Sequence, residues 1–180
     1  MKYNGILNGE KVILRNIDVN DCNDEYLSWM NDYETNYYME TRYSPQTKET
    51  IRTFVESIIE SKDSYLFAII EKTNNKHIGN IKIGPVNNRY KWADISYFIG
   101  DKKNKRKGYA VEAIKLICVF GFDELNLHRI QAGTISKNIV SEKALLKAGF
   151  IKEGSLREKI ERDGIWYNHN IFGMVKEDSI

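Results

Sequence analysis

WADISYFIGDKKNKRKGYA, residues 92–110, carries the succession of elements that decides the fold. Trp92–Ile99 is rich in β-branched and aromatic residues and reads as a strand. Gly100-Asp101 breaks it. Five of the six residues Lys102–Lys107 are basic. Gly108 then stands where a helix begins. Ala110, Ile114, Ile117, Cys118, Gly121 and Leu125 recur at helical spacing, so that helix runs to about Glu124. Strand, glycine, basic loop and helix N-terminus together make an anion site. The first N–H groups of a helix lack intrahelical partners, the helix dipole favours negative charge there, and Lys and Arg add point charges for phosphate. The alternative is a merely solvated basic loop.

Downstream, Arg129–Thr134 reads as a strand and Ser141–Ala148 as a helix closed by Gly149, a C-cap. Phe150–Arg157 and Trp166–Val175 close the chain as strands joined through the Asp163-Gly164 turn. Upstream, Lys11–Arg15 is a short strand. Asp18 is the N-cap of a helix to about Met30, with Asp21 three residues on in place of the usual glutamate of a capping box. A second helix spans about Thr47 to Glu60. Tyr65–Ile70 is a continuous apolar run, a buried strand, and pairs as a hairpin with the alternating His77–Ile83. The order is β-α-α-β-β-β-α-β-α-β-β: one α/β (α+β) domain over residues 1–180, with a mixed, mostly antiparallel sheet of about six to seven strands flanked by about four helices.

Composition fits a single domain. The 180 residues are 42% hydrophobic and long enough to bury a core without disulfide or metal staples. Lys plus Arg is 27 against 25 for Asp plus Glu, a net of +2 that argues against a nucleic-acid binder. Cys22 and Cys118 cannot form a disulfide framework and suit a reducing, cytoplasmic setting. The N-terminal residues contain no apolar core of signal length, and no window has the apolar length of a membrane span. His77, His128 and His169 are scattered without ligand spacing, so no metal site is expected.

Residues 138–150 contain N-x-x-S-x-x-x-x-x-K-x-G-F, formed by Asn138, Ser141, Lys147, Gly149 and Phe150. With the basic loop, the opening LRNIDVNDCNDEYLSWMND and the closing EGSLREKIERDGIWYNHNIFGM, this segment resembles the GNAT superfamily of acetyl-CoA-dependent N-acetyltransferases. The RimJ/RimL-like branch is the most similar. The resemblance covers nearly the whole chain.

That resemblance implies acetyl transfer from acetyl-CoA, the co-substrate, to an amine by direct attack. The family's cofactor motif falls on Lys103 through Gly108, with Lys105, Arg106 and Lys107 within it, and the amides of about Arg106 to Ala110, Tyr109 included, would hold the pyrophosphate. Phe98, Ile99 and Gly100 would present backbone groups to the pantetheine arm, and Asn138 matches an asparagine that contacts it. Arg106 replaces the first glycine of the motif; a positive φ there costs a non-glycine residue about 1 kcal/mol. Where many members carry a tyrosine acid, this chain has Leu145. Asp94 is the first candidate base and Ser141 the candidate group near the thiolate; Glu158 and Glu161 are secondary bases, Ile160 occupying the matching position.

Residues 16–41 hold seven acids and no Lys or Arg, together with several aromatics. Trp29, Tyr37, Tyr38 and Glu40 are therefore candidate acceptor-binding residues for a cationic amine. Three functions follow: acetylation of a protein N-terminal amine, acetylation of a polyamine or a nucleotide-linked amino sugar (Arg42 or Arg89 meeting its diphosphate), or a non-catalytic acetyl-CoA-binding module. Neither nucleic acid nor membrane is an expected partner; a homodimer is common in relatives.

Overall fold

The computed structural model describes residues 3–178. Its frame is one eight-stranded sheet. The strands are β1 (Ile6–Asn8), β2 (Val12–Asn16), β3 (Tyr65–Glu71), β4 (Lys76–Ile83), β5 (Trp92–Ile99), β6 (Arg129–Ile135), β7 (Ile151–Arg162) and β8 (Ile165–Val175). Their spatial order is β1-β2-β3-β4-β5-β6-β8-β7. Every pairing is antiparallel except β5 with β6, whose parallel register covers only Trp92↔Arg129, Ala93↔Ile130 and Asp94↔Gln131. Eight strands stand where six or seven were expected, because the three-residue β1 is too short to show a period.

The helices are α1 (Asp24–Asn31), α2 (Tyr33–Asn36), α3 (Lys48–Glu60), α4 (Tyr109–Val119) and α5 (Ile139–Ala148). Asp18 and Asp21 do form a capping box, but over a short 3-10 turn, Val19–Asp21; α1 has its own cap, Asn23, whose side chain accepts from Glu25 N and Tyr26 N. Thr47 and Thr50 cap α3 reciprocally. The long helix predicted to Glu124 loosens at Phe120–Glu124 into a wider turn, with Leu125 N–H donating to Phe120 C=O. There Gly121 lies so close to Ile130 and Ile83 that a methyl group would touch them at 2.7 and 2.9 Å.

Side chains alternate across β5 and divide the core in two. Ile95, Tyr97 and Ile99 pack with Ile114, Ile117 and Leu145 beneath α4 and α5. Phe98 packs on the opposite face with Tyr26, Trp29, Ile51 and Val55 beneath α1 and α3. The sheet is therefore covered on both sides around β3 to β5, while β7 is exposed along most of its length, and the short β5–β6 pairing lies at the sheet's middle.

Candidate active site

Gly84 N–H donates to Asp94 C=O at 2.8 Å, and Gly100 N–H to Ile78 C=O at 2.8 Å. Backbone direction alternates along a strand, so the even residues of β5 turn their peptide groups to β4. The odd residues Ile95, Tyr97 and Ile99 turn theirs toward β6, where no register partner exists beyond Asp94. The strands diverge there. A cleft of about 870 Å³ opens along this divergence, bordered by β5, β6, α5 and the segment Tyr38–Thr41.

The basic loop closes one end. Lys105, Arg106 and Ala110 line the cleft; Lys103, Lys107, Gly108 and Tyr109 do not. Arg106 adopts φ 64 and Gly108 φ 88. The position of the motif's first glycine thus does take a positive φ, on an arginine. α4 has no side-chain N-cap, and its first backbone bond is Glu112 N–H to Gly108 C=O, which leaves the amides of Tyr109, Ala110 and Val111 without intrahelical acceptors. Lys102 is drawn away by Asp32 and Glu34, at 2.8 and 3.2 Å, and Lys107 bonds Asn104. Among the described residues the Arg106 side chain has no hydrogen bond or ion pair.

At the α5 side, Asn138 Oδ1 accepts from Ser141 N and caps the helix. That frees the Ser141 hydroxyl, which lies 2.8 Å from Tyr97 Oη. Burial pushes the Tyr97 phenol up to about 12, so it stays protonated at neutral pH. Both hydroxyls line the cleft. Tyr97 was not singled out from sequence; its signal was an aromatic hydroxyl on the face of β5 shared with Ile95 and Ile99. Leu145 is fully buried.

Several expected residues sit elsewhere. The Gly100 N–H is taken by Ile78, and Phe98 turns its peptide groups to β4, so of the three backbone candidates only Ile99 faces the gap. Gly100 serves another purpose: a methyl group there would meet the Trp29 ring at 2.2 Å. Trp29 is 5% exposed and belongs to the core rather than the cleft wall. Tyr37 lies outside the cleft, under Arg42 at 4.7 Å. Tyr38 and Glu40 do line it. Asp94 does not; its carboxylate accepts from Gln131 at 3.1 Å in the closed part of the β5–β6 pairing. Glu158 projects from an irregular stretch of β7 at φ 48, and Glu161 accepts from Gly164 N–H; both lie outside the cleft.

The acid-rich N-terminal stretch is not a free anionic wall. Asp18 caps a turn, Asp21 pairs with Arg15, Asp24 with Lys48, Glu25 with Lys76, Asp32 and Glu34 with Lys102, and Glu40 with Arg162. The acids docking against the basic loop explain how the two charged regions coexist. In the cleft beyond them, Lys82 is half-buried, and burial lowers its pKa; Arg162 is 3% exposed.

An open gap between two central strands, capped by a basic loop and a helix start, makes a site for an extended ligand that ends in anionic groups. Residues 11–151 match the model of the acetyltransferase (GNAT) domain, and the chain belongs to that family of acetyl-CoA-dependent acyltransferases. It is 28% identical over 179 residues, 96% of this chain and 98% of the other, to YjcK of Bacillus subtilis, named a probable N-acetyltransferase. It is 32% identical over 173 residues, 95% and 97% of the two chains, to the uncharacterized N-acetyltransferase YoaA of the same organism. The fold is shared with a GNAT-family acetyltransferase from Bacillus anthracis at TM-score 0.83 and 24% identity, covering 96% of this chain and 99% of that one. It is shared equally, at TM-score 0.83 and 18% identity over 94% and 98%, with spermidine N-acetyltransferase from Vibrio cholerae solved with CoA and spermine.

Among the described residues no helix is long and apolar enough to cross a membrane, and no cluster of three or more His, Cys, Asp or Glu could hold a metal.

Proposed function

We propose that the chain transfers the acetyl group of acetyl-CoA to a primary amine of a peptide N-terminus or a small molecule, both bound together in the cleft. The observation that carries this reading is the divergence of β5 from β6 after Asp94, which leaves the Ile95 carbonyl and the peptide groups of Tyr97 and Ile99 without a strand partner beside the α4 N-terminus. Those groups suit the amides and carbonyls of the pantetheine arm, as a missing strand would. Arg106, Lys105 and the first amides of α4 receive the phosphates. Asn138 lines the cleft, and among the described residues its Nδ2 has no partner, which suits a contact with the arm.

Ser141 and Tyr97 form the donor pair for the departing sulfur. A thiolate leaving group, ordinary pKa about 8.5, benefits from a positioned hydroxyl. This pair answers the loss of an acid at Leu145 and favours an enzyme over a passive binding module. The amine enters from the Tyr38–Glu40 side, past Phe54 and Lys82.

A polyamine acceptor is a second reading, favoured by the likeness to the Vibrio cholerae spermidine enzyme. Against it stands the charge of the cleft lining, where the two carboxylates, Glu34 and Glu40, are already paired with Lys102 and Arg162, and Lys82 and Arg162 add positive charge. The test is free-CoA release from acetyl-CoA with peptides, polyamines and nucleotide-linked amino sugars, alongside thermal unfolding with acetyl-CoA. A raised Tm and release with one acceptor class are expected. No Tm shift at millimolar acetyl-CoA would sink the reading.

A further inference from the structure

The reaction needs a proton acceptor, and the cleft contains few. Of its lining side chains, Glu34, Glu40 and His169 could accept a proton at neutral pH. Glu34 is paired with Lys102 and Glu40 with Arg162. Each of these carboxylates already has a cation as its partner. His169 differs: its Nδ1 is buried, and among the described residues neither ring nitrogen has a hydrogen-bond partner.

Its position is specific. On β8, His169 pairs with Ile135 of β6 and Leu156 of β7. Its ring lies over Gly133, where a methyl group would meet Nε2 at 2.3 Å and Cε1 at 2.5 Å. Gly133 is two residues past Gln131, the last residue of β6 paired with β5, so it stands on the same face at the mouth of the gap. That is the face of Phe98 and Lys82, the side from which the amine arrives. A glycine inside a strand forfeits packing and chain stability, and close approach of another group is the usual reason for one.

We propose that His169 is the general base, taking the proton from the attacking nitrogen, and that Gly133 is the positioning residue that lets its ring reach the gap. This rests on the acetyltransferase reading above. As the N–C bond forms to the acetyl carbonyl carbon, the nitrogen proton passes to the imidazole. The C–S bond breaks and its electron pair stays on sulfur, which takes a proton from the Ser141–Tyr97 hydroxyls. Imidazolium then returns its proton to solvent, and solvent refills the hydroxyl pair. The products are the acetylated amine and CoA.

The surroundings keep the ring neutral. Burial lowers the His169 pKa below its ordinary value, and the positive charge of Lys159 on β7 lowers it further. β6 presents only uncharged Gly133 and Ile135. From the segment over the cleft comes Glu40, tied to Arg162, and from β4 Lys82.

The test uses the full chain, acetyl-CoA and an amine accepted in the release assay. H169Q should lower kcat by about 10²–10⁴-fold, the usual weight of general base catalysis, with acetyl-CoA Kd within twofold. The limb of kcat/KM that rises from acid pH should vanish. G133A should lower kcat alone, and G133A/H169Q should lose no more than H169Q. Imidazole NMR of the wild type, independent of any variant's folding, should place the His169 titration on that limb. Turnover of H169Q within threefold of wild type, or a His169 titration away from the limb, overturns the proposal while leaving the acetyltransferase standing. A wild type that releases CoA with no amine removes the reading beneath it, and the proposal with it.

Discussion

Arg106 offers a perturbation whose two effects have opposite signs. Its φ of 64 lies in the left-handed region, which disfavours every residue with a Cβ and costs an arginine about 1 kcal/mol relative to glycine. Its side chain has no hydrogen bond or ion pair among the described residues, so R106G removes neither. Relief of about 1 kcal/mol in a chain of this size raises Tm by about 2–4 °C. The same substitution removes a cation from the phosphate end of the cleft. An exposed ion pair contributes up to about 1 kcal/mol, a factor of about five in affinity. R106G should therefore be more stable without ligand and bind acetyl-CoA about fivefold more weakly, with a flatter salt dependence. Differential scanning fluorimetry and calorimetric titration at two ionic strengths measure both. A lower Tm refutes the strain argument. An unchanged Kd at low salt refutes the phosphate role.

Other positions are equally exposed to test. G100A should cost more than 2 kcal/mol, read by urea denaturation, because the new methyl group meets the rigid Trp29 ring rather than a flexible chain end. G108A should lose about 1 kcal/mol although its surroundings are open, since the penalty lies in φ 88. S141A and Y97F should each slow CoA release about tenfold to a hundredfold with acetyl-CoA Kd unchanged; wild-type rates in both would remove the hydroxyl pair from the chemistry. Burial lowers the pKa of His77 as well as that of His169. Below the ordinary histidine value of about 6.5 the unfolded chain binds protons that the folded chain does not, so stability should fall as pH drops from there; a midpoint in urea that is flat between pH 7 and 5 would contradict this.

Much of the architecture was legible in period and punctuation. Trp92–Ile99 folds over the predicted residues, and the Tyr65–Ile70 and His77–Ile83 runs pair as the expected hairpin. These elements are long, strongly patterned and bounded by Asn- or Gly-containing turns. Boundaries failed where several local signals competed: Asp18-x-x-Asp21 is a true cap, yet Asn23 caps the helix proper. The candidate site was legible where backbone geometry defines it, at Arg106, Asn138 and Ser141. It was illegible where partners distant in sequence decide a side chain's fate. Asp94 is claimed by Gln131 and the N-terminal acids by lysines and arginines, some far along the chain. From sequence His169 is only one of three scattered histidines, because its fitness depends on a glycine in another strand.

The three-residue joint between β5 and β6 has a mechanical consequence. It joins two antiparallel ribbons, β1 to β5 and β6 to β8, that are otherwise held to each other by helices and side chains. Amides facing the open seam, at Tyr97 and Ile99, should exchange with deuterium sooner than those facing β4. A ligand that bonds to both lips of the seam acts as mortar between the ribbons. Acetyl-CoA would then slow exchange in Ile95–Ile99 and Gly133–Ile135 together, so that the finished sheet exists only while the donor is held.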